Sequence, residues 1–487
     1  MDNGGKTSLW AMLTTVKINP ENRKCTTLPI LSLRNQYSRN FHLSWLGFWV
    51  AFLSWFAFSP LIPEAVKTDL NLTAEEIGNS NIISLCATLG VRLIVGPLVD
   101  KYGPRKVMAG VLALGAIPSG LAGTVKSAEG LYVVRFFIGI LGGTFVPCQT
   151  WTTTFFDQNV VGRANALVGG WGNSGGGFTF LIMVALYDRL VSHGLSSHTS
   201  WRAAFAIVPV PVLLLVALIT LLFGTDHPNG KWSDRFSDPN DGRSQDIEDN
   251  SFVDGETKDE TRATAVVAAT NEDTNALGPK EESLGMIYLR SLKMPSTWLP
   301  GLAYLTTFGY ELAIDANLAN VLFGLFQSPT FGQTKAGYVA SIFGLLNVFT
   351  RPLGGYFGDL VFAKYRVPGK KYLTLACGLL QGLLSLALGL YIDNTTNPSL
   401  TVIIVIFVLL AIANEAGNGA NFALVPHCNP AYNGFMSGFV GAMGNLGGII
   451  FALIFRFQSR PFGKAFWVSG VVAAVINILL AVVPVPK

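Results

Sequence analysis

Runs of about 20 apolar residues, separated by short polar loops, dominate the chain. Each run is long enough to cross a hydrocarbon core of about 30 Å as a helix that rises 1.5 Å per residue. The pattern predicts twelve membrane-spanning helices in two sets of six. The first set is expected near residues 43–63, 78–99, 107–125, 130–150, 162–187 and 203–224. The second set is expected near residues 297–323, 336–358, 371–392, 400–420, 434–456 and 464–485.

Polar stretches divide the chain into four parts. Residues 1–40 form a basic N-terminal segment, residues 41–224 the first six-helix half, residues 225–296 an acidic linker and residues 297–487 the second half. The linker is polar and poor in aromatic residues, which predicts disorder. The basic residues of the first segment predict cytoplasmic N- and C-termini under the positive-inside rule. We therefore expect an all-α, multi-pass membrane protein with two pseudo-symmetric halves.

The composition excludes several classes of protein. Only 13% of the residues are charged, against about 25% in soluble domains. The formal net charge of +4 is spread over the loops, which argues against nucleic-acid binding. The five cysteines have no CxxC spacing, so no metal site is expected. We find no catalytic constellation, and expect neither an enzyme nor a bound cofactor.

A glycine-rich signature occurs once in each half. It reads GGWGNSGGG from Gly169 in the fifth predicted helix and GAMGNLGG from Gly441 in the eleventh. Superposing the two copies aligns Asn173 with Asn445. Glycine lets helix backbones approach closely, and a buried amide in a membrane needs a partner. Each asparagine is thus expected either to join helices or to line a binding site.

A second repeat places one arginine in each half, Arg92 in the second predicted helix and Arg351 in the eighth. Each is followed by a glycine four positions later and an aspartate eight positions later, which are Gly96 and Asp100, and Gly355 and Asp359. Eight helical residues span about 12 Å, which sets the arginines near the middle of the membrane. A charge costs at least about 2.5 kcal/mol there, so it should face a cavity or a partner.

Two guanidiniums that face each other between the halves would form a site for a small planar oxyanion held by paired hydrogen bonds. The alternative is that each arginine caps backbone carbonyls or pairs with a carboxylate of another helix. The candidate carboxylates are Glu311, Asp315 and Glu415.

The turn after the second predicted helix reads GPLVDKYGPRK. Its aspartate and basic residues suit charge pairing with a neighbouring helix end. We expect Asp100, Arg105 and Asp359 to have gating or structural roles and no contact with substrate.

The twelve-helix plan and this turn resemble the major facilitator superfamily. The two glycine signatures, together with arginines in the second and eighth helices, resemble the nitrate/nitrite porter family within it. The resemblance implies that Arg92 and Arg351 clamp nitrate or nitrite while the two halves rock about the site. It also implies further substrate contacts, from Asn173, Asn445, Gly172, Gly444, Tyr304, Phe308, Phe145 and, as a weaker match, Phe56.

The mode of coupling is left open by the sequence. Fungal and plant relatives are held to be proton symporters, and bacterial ones include nitrate/nitrite exchangers. The long central loop resembles that of fungal members, so the resemblance implies proton-coupled uptake across the plasma membrane by a monomer among lipids. Glu311, Asp315 and Glu415 are candidate proton carriers. The alternatives are an exchanger, a carrier of a larger organic anion or sugar, and a nitrate sensor that signals through the linker.

Overall fold

A computed structural model describes residues 13–61, 65–233, 284–326, 328–331, 333–429, 432–458 and 463–486, and long α-helices in two sets account for most of these residues. The first half contains α1 Gln36–Trp55, α2 Ala74–Tyr102, α3 Pro104–Leu121, α4 Ala128–Phe155, α5 Val161–Ser192 and α6 Ser197–Phe223. The second half contains α7 Pro295–Phe326, α10 Leu400–Cys428, α11 Asn433–Phe457 and α12 Gly463–Leu480. Helices α8 and α9 are the two arms of Gln333–Asn394, which turns at Arg366 (φ 55°, ψ −147°).

These helices confirm the predicted all-α fold. Within the described residues, eight stretches are long and apolar enough to cross a membrane, and one of them contains both α8 and α9. Helices α1, α5 and α7 fall outside those eight, although they have 20, 32 and 32 residues.

Two helices deviate from the predicted spans in ways that matter for the site. Helix α4 contains a 3₁₀ stretch, Gly139–Thr144, directly before Phe145. Three glycines in this stretch let it approach α2, because a Cβ at Gly142 or Gly143 would overlap Thr88 or Val91. Helix α10 continues to Cys428, past its predicted end at residue 420.

The two halves meet along two seams, α2 against α11 and α5 against α8. Each seam pairs a helix that carries a buried arginine with a helix that carries a glycine signature. The pseudo-symmetry read from the sequence is therefore also a symmetry of the interface between the halves.

Segments outside the membrane helices also have defined contacts in the structure. In the N-terminal segment, Asn19 and Asn22 each donate a 3.0 Å hydrogen bond to Asp157, between α4 and α5. Burial alone would raise the pKa of the Asp157 carboxyl, but hydrogen bonds from Asn22 and Asn19 hold that pKa below its ordinary value. Of the predicted linker, residues 234–283 lie outside the described residues, whereas Leu284–Leu292 form a short helix.

A candidate anion site between the two halves

Arg92 lies fully buried on α2, with 0% of its surface exposed. Its Nε donates to the carbonyl of Gly142 and its Nη1 to the carbonyl of Gly441, both at 2.9 Å. Its Nη2 has no hydrogen-bond partner in the part of the chain that the structure describes. The guanidinium is thus fixed by two backbone carbonyls and keeps one donor nitrogen free.

Arg351 is the counterpart on α8 and is 1% exposed. Its Nη2 donates a 2.7 Å hydrogen bond to the hydroxyl of Tyr304, while Nε and Nη1 have no partner among the described residues. Neither Arg351 nor Arg92 forms an ion pair with a carboxylate there. Arg92 therefore does bind backbone carbonyls through Nε and Nη1, as the alternative expected. Pairing with a carboxylate is not observed for either arginine among the described residues.

Both guanidiniums lie against the same two aromatic rings. The Cζ atoms of Arg92 and Arg351 are 4.8 and 6.0 Å from the ring centre of Phe145. They are 5.6 and 5.9 Å from that of Phe308. Tyr304 stacks on Phe308 with centroids 4.8 Å apart and ring planes 4° apart. Each aromatic face attracts a cation by about 0.5–2 kcal/mol, and it does not take up the in-plane hydrogen bonds that the N–H groups can donate. The rings thus stabilise the charges and leave donors available.

Each arginine packs against the glycine signature of the opposite half. A Cβ at Gly441 on α11 would lie 3.0 Å from Cδ of Arg92. A Cβ at Gly169 on α5 would lie 3.1 Å from Nε of Arg351. Because real Cβ atoms rarely approach so closely, any larger residue at either position would displace a guanidinium.

The second pair of aligned glycines makes room for aromatic rings. A Cβ at Gly444 would lie 2.7 Å from Tyr304 and 2.8 Å from Phe308 of α7. A Cβ at Gly172 would overlap the ring of Phe48 of α1. These two glycines act on the site through the rings that they seat.

The two asparagines differ in their contacts. Asn445 is fully buried, and its Nδ2 donates to the carbonyl of Gly441 at 3.0 Å, while its Oδ1 has no partner in the described structure. Asn173 is half-buried, and neither its Nδ2 nor its Oδ1 has a partner there. It lies one turn after Gly169, on the side of α5 that faces Arg351. Asn173 therefore offers a free amide donor to the site, and Asn445 helps to position the carbonyl that binds Arg92.

Phe56, the weaker match on α1, lies just after the helix, where its ring contacts the rings of Phe52 and Trp55. The ring that α1 brings to the site is that of Phe48, 5.3 Å from Phe145. Sequence reasoning did not select Phe48. No sequence pattern distinguishes Phe48 from Phe56, and only the fold shows that Phe48 faces Gly172 as Tyr304 faces Gly444.

A second ring that the sequence analysis missed is Phe422. It packs edge-on against Phe145 and Tyr304, with centroids 4.7 and 5.0 Å apart. The predicted end of the tenth helix at residue 420 left it in a loop, whereas α10 carries it to the centre of the molecule.

The two aspartates of the repeat bind helix N-termini across the seams. Asp100 accepts hydrogen bonds from the backbone N–H groups of Gly434 and Phe435 at 2.9 and 2.7 Å, in the first turn of α11. A carboxylate at a helix N-terminus satisfies unpaired N–H groups and complements the helix dipole. Asp100 therefore ties the first half to the second.

Asp359 mirrors this contact from the second half. It accepts from the backbone N–H groups of Gly162 and Arg163 at 3.0 and 2.9 Å, at the start of α5. The side chains of Arg163 and Lys370 also bind it, at 3.2 and 3.3 Å. Asp100 and Asp359 thus close one end of the interface between the halves, which we call the gate end.

Arg105 occupies a different place. Its Nε pairs with Asp226, after α6, at 3.1 Å, and its Nη1 donates to the carbonyl of Leu221. Both partners belong to the first half, so Arg105 fixes α3 to the end of α6 within that half.

Comparisons with known proteins agree with this architecture. A model of the major facilitator superfamily matches residues 44–310 and 296–487. The fucose:proton symporter of E. coli superposes with a TM-score of 0.60 at 15% identity, over 92% of this chain and 98% of that one, which shows the same fold.

Two relatives narrow the assignment. The high-affinity nitrate transporter 2.5 of Arabidopsis thaliana is 33% identical over 440 residues, which are 90% of this chain and 77% of the relative. The nitrate/nitrite transporter NrtP of Nostoc punctiforme is 26% identical over 507 residues, 93% of each chain. These relatives are transporters and not enzymes, which agrees with the expectation from the sequence. The chain belongs to the major facilitator superfamily and, within it, to the nitrate/nitrite porter family.

Proposed function

We propose that this protein imports nitrate, and also nitrite, across the plasma membrane by alternating access, as a proton symporter. The observation that carries the proposal is a pair of buried arginines with three donor nitrogens that have no acceptor in the described structure, Nη2 of Arg92 and Nε and Nη1 of Arg351. The two relatives, a nitrate transporter and a nitrate/nitrite transporter, support it.

The shape of the site favours a small planar anion. Buried N–H groups of a guanidinium require acceptors, and an oxyanion supplies them in the plane of the fork. Phe145, Phe308 and Tyr304 surround these donors with apolar faces. Asn173 adds an amide donor. Nitrate, with three oxygens in one plane and a single charge, matches this set of donors.

Alternating access follows from where the site lies. Each arginine spans a seam, so relative rotation of the halves changes both arginine–glycine contacts together. We propose that the gate end faces the cytoplasm, as the basic loops of the sequence predict. Release of the anion inward then requires Asp100 and Asp359 to leave the first turns of α11 and α5.

The test compares the parent with Arg92→Lys and Arg351→Lys in nitrate uptake and nitrate-induced current at two pH values. Lysine keeps the charge and loses the planar fork. Because charged hydrogen bonds contribute about 1.5–3 kcal/mol each, we expect either variant to lose at least about tenfold in uptake at low nitrate. Nitrate uptake by the parent should rise as the external pH falls, and a nitrate-induced inward current would indicate more than one proton per nitrate.

Arg189→Lys is the matched control. Arg189 is exposed in the last turn of α5, 20 residues after Gly169, so its replacement should leave uptake unchanged. Normal transport by Arg92→Lys and Arg351→Lys would show that the arginines are structural. Nitrate movement that depends on nitrite at the opposite side would identify an exchanger, and strong competition by bulky organic anions would identify a carrier of larger substrates.

A further inference from the structure

A second polar cluster lies inside the second half, beside Arg351 and away from the aromatic rings. It contains two carboxyl groups, Glu311 on α7 and Glu415 on α10, which are 4% and 0% exposed. Three side chains bind them, Asn347 and Thr350 of α8 and Asn418 of α10. The sequence offered Glu311, Asp315 and Glu415 as equal candidates for carrying protons, and the contacts of this cluster separate them.

Glu311 has the surroundings of an ionised carboxylate. Its Oε1 accepts from the amide of Asn347 and its Oε2 from the amide of Asn418, the latter at 2.6 Å. Both oxygens are thus occupied by donors, and an ionised carboxylate is an acceptor only. Glu311 is placed to act as a fixed negative charge near Arg351.

Glu415 has surroundings that suit a carboxyl group that gains and loses a proton. Its Oε2 contacts the hydroxyl of Thr350, and its Oε1 has no partner in the part of the chain that the structure describes. The same hydroxyl lies 2.9 Å from the carbonyl of Leu346. The hydroxyl can donate to an ionised Glu415, or it can donate to Leu346 and accept the proton of a protonated Glu415.

The cluster is connected to the anion site through α8. Thr350 directly precedes Arg351, and Asn347 lies one turn before it. The charged and titratable groups that act on Glu415 are Glu311 and Asp315 of α7 and Arg351 of α8. Asp315 is exposed, unlike the two glutamates. Arg351 is thus the cation shared by the cluster and the anion site.

We propose that Glu415 is the proton-binding site that couples anion transport to the proton gradient, and that Glu311 stays ionised as a fixed counter-charge. The proposal rests on the proposed function. A proton from outside water forms the O–H bond of Glu415 when the anion is bound, and the same bond breaks to release the proton into the cytoplasm. One proton entering with one monovalent anion leaves the buried net charge unchanged, which avoids the cost of adding charge to a buried site.

The coupling is reciprocal by linkage. An ionised Glu415 competes with the anion for Arg351, and a protonated one leaves the guanidinium to the anion. Anion affinity should therefore rise on acidification, by up to about tenfold per pH unit for one proton per anion.

Glu415→Gln tests this in proteoliposomes, since glutamine resembles the protonated acid and cannot release a proton. Two rates are measured with isotopically labelled nitrate, equilibrium exchange without a pH gradient and accumulation driven by one. We expect the variant to keep exchange within about threefold of the parent, to lose accumulation and to bind nitrate with an affinity that is independent of pH. Nitrate-dependent thermal stabilisation of the purified variant checks that it is folded and binds.

Asp315→Asn is the matched control, an acid-to-amide change one turn from Glu311, and it should keep accumulation. Accumulation by Glu415→Gln at the parent's level would overturn the assignment. The assignment would also be overturned if Glu311→Gln or Asp315→Asn, and not Glu415→Gln, lost accumulation and retained exchange. If Glu415→Gln is unfolded, Thr350→Val, which removes the hydroxyl partner, should shift the pH dependence of binding, and an unshifted profile counts against the proposal. A parent that shows exchange and no accumulation would instead refute proton symport itself.

Discussion

At the scale of single residues, the site solves the problem of holding two like charges in a membrane protein's interior. Arg92 uses two backbone carbonyls, Arg351 uses one hydroxyl, and both use the faces of Phe145 and Phe308. None of these partners neutralises the charge. The guanidiniums therefore keep a strong affinity for an anion, and the absence of side chains at Gly169 and Gly441 lets them lie at the seams.

We expect Gly169→Ala and Gly441→Ala to raise the nitrate KM about tenfold while the protein stays folded. The new Cβ would lie 3.1 Å from Nε of Arg351 or 3.0 Å from Cδ of Arg92, and the guanidinium must move. Gly90→Ala is the control on α2, because a Cβ there meets nothing within 4 Å. Uptake kinetics and thermal unfolding of the three variants measure the effect. Unchanged KM values for both seam variants would show that the guanidiniums need not occupy these positions.

At the scale of helices, the three residues of the repeat, arginine, glycine and aspartate, each make a contact across the seam between the halves. On α2, Arg92 contacts Gly441, Gly96 packs on the backbone of Gly434, and Asp100 binds the first turn of α11. The same order is found on α8 against α5. A spacing of four residues puts all three on one face of the helix, so a single face carries the anion ligand, the close contact and the gate.

We expect Asp100→Asn to loosen the first turn of α11 and Asp359→Asn that of α5, each leaving the other turn unchanged. Loss of a charged cap costs about 0.5–2 kcal/mol, which corresponds to about 2–30-fold faster amide exchange in that turn. Hydrogen exchange followed by mass spectrometry measures it on the full chain, and each variant serves as the other's control. Equal protection in both variants and the parent would show that the aspartates do not close the gate end.

At the scale of the whole molecule, every group of the proposed site lies within the two helical halves. The two arginines, the rings, both seams and the gate lie in residues 36–233 and 284–480 of the described structure. The start of the linker is tied to the gate end, since Asp226 binds Arg105 and Trp232 donates to the carbonyl of Asp100 at 2.8 Å. Motion of the halves is therefore expected to reach the linker.

We expect a chain in which residues 234–283 are replaced by a flexible Gly/Ser linker of about 20 residues to keep nitrate uptake within about twofold of the parent. The reason is that the proposed site and gate need only the two halves and the tied start of the linker. Uptake and surface expression are measured together to separate activity from abundance. A protein that keeps its nitrate binding and loses a cellular response, with little uptake in the parent, would be a sensor.

Much of this molecule follows from the sequence because a membrane imposes simple constraints. Backbone groups in hydrocarbon must be paired within helices, so the apolar runs predict the helices and the two repeats predict the halves. A charged residue in such a run predicts a site, which selected Arg92 and Arg351 without a structure. The sequence by itself also indicated the chemistry, since a guanidinium fork favours a planar oxyanion.

Only the tertiary structure decided which groups meet. Periodicity says nothing of which helices become neighbours, so it gave no reason to choose Phe48 over Phe56, or to place Phe422 at the centre. It also left three acids equivalent, and they differ only because Glu311 meets two amides while Glu415 meets one shared hydroxyl. Hydrogen-bond partners of buried groups come from distant segments of the chain, and their identity is a property of the packed fold.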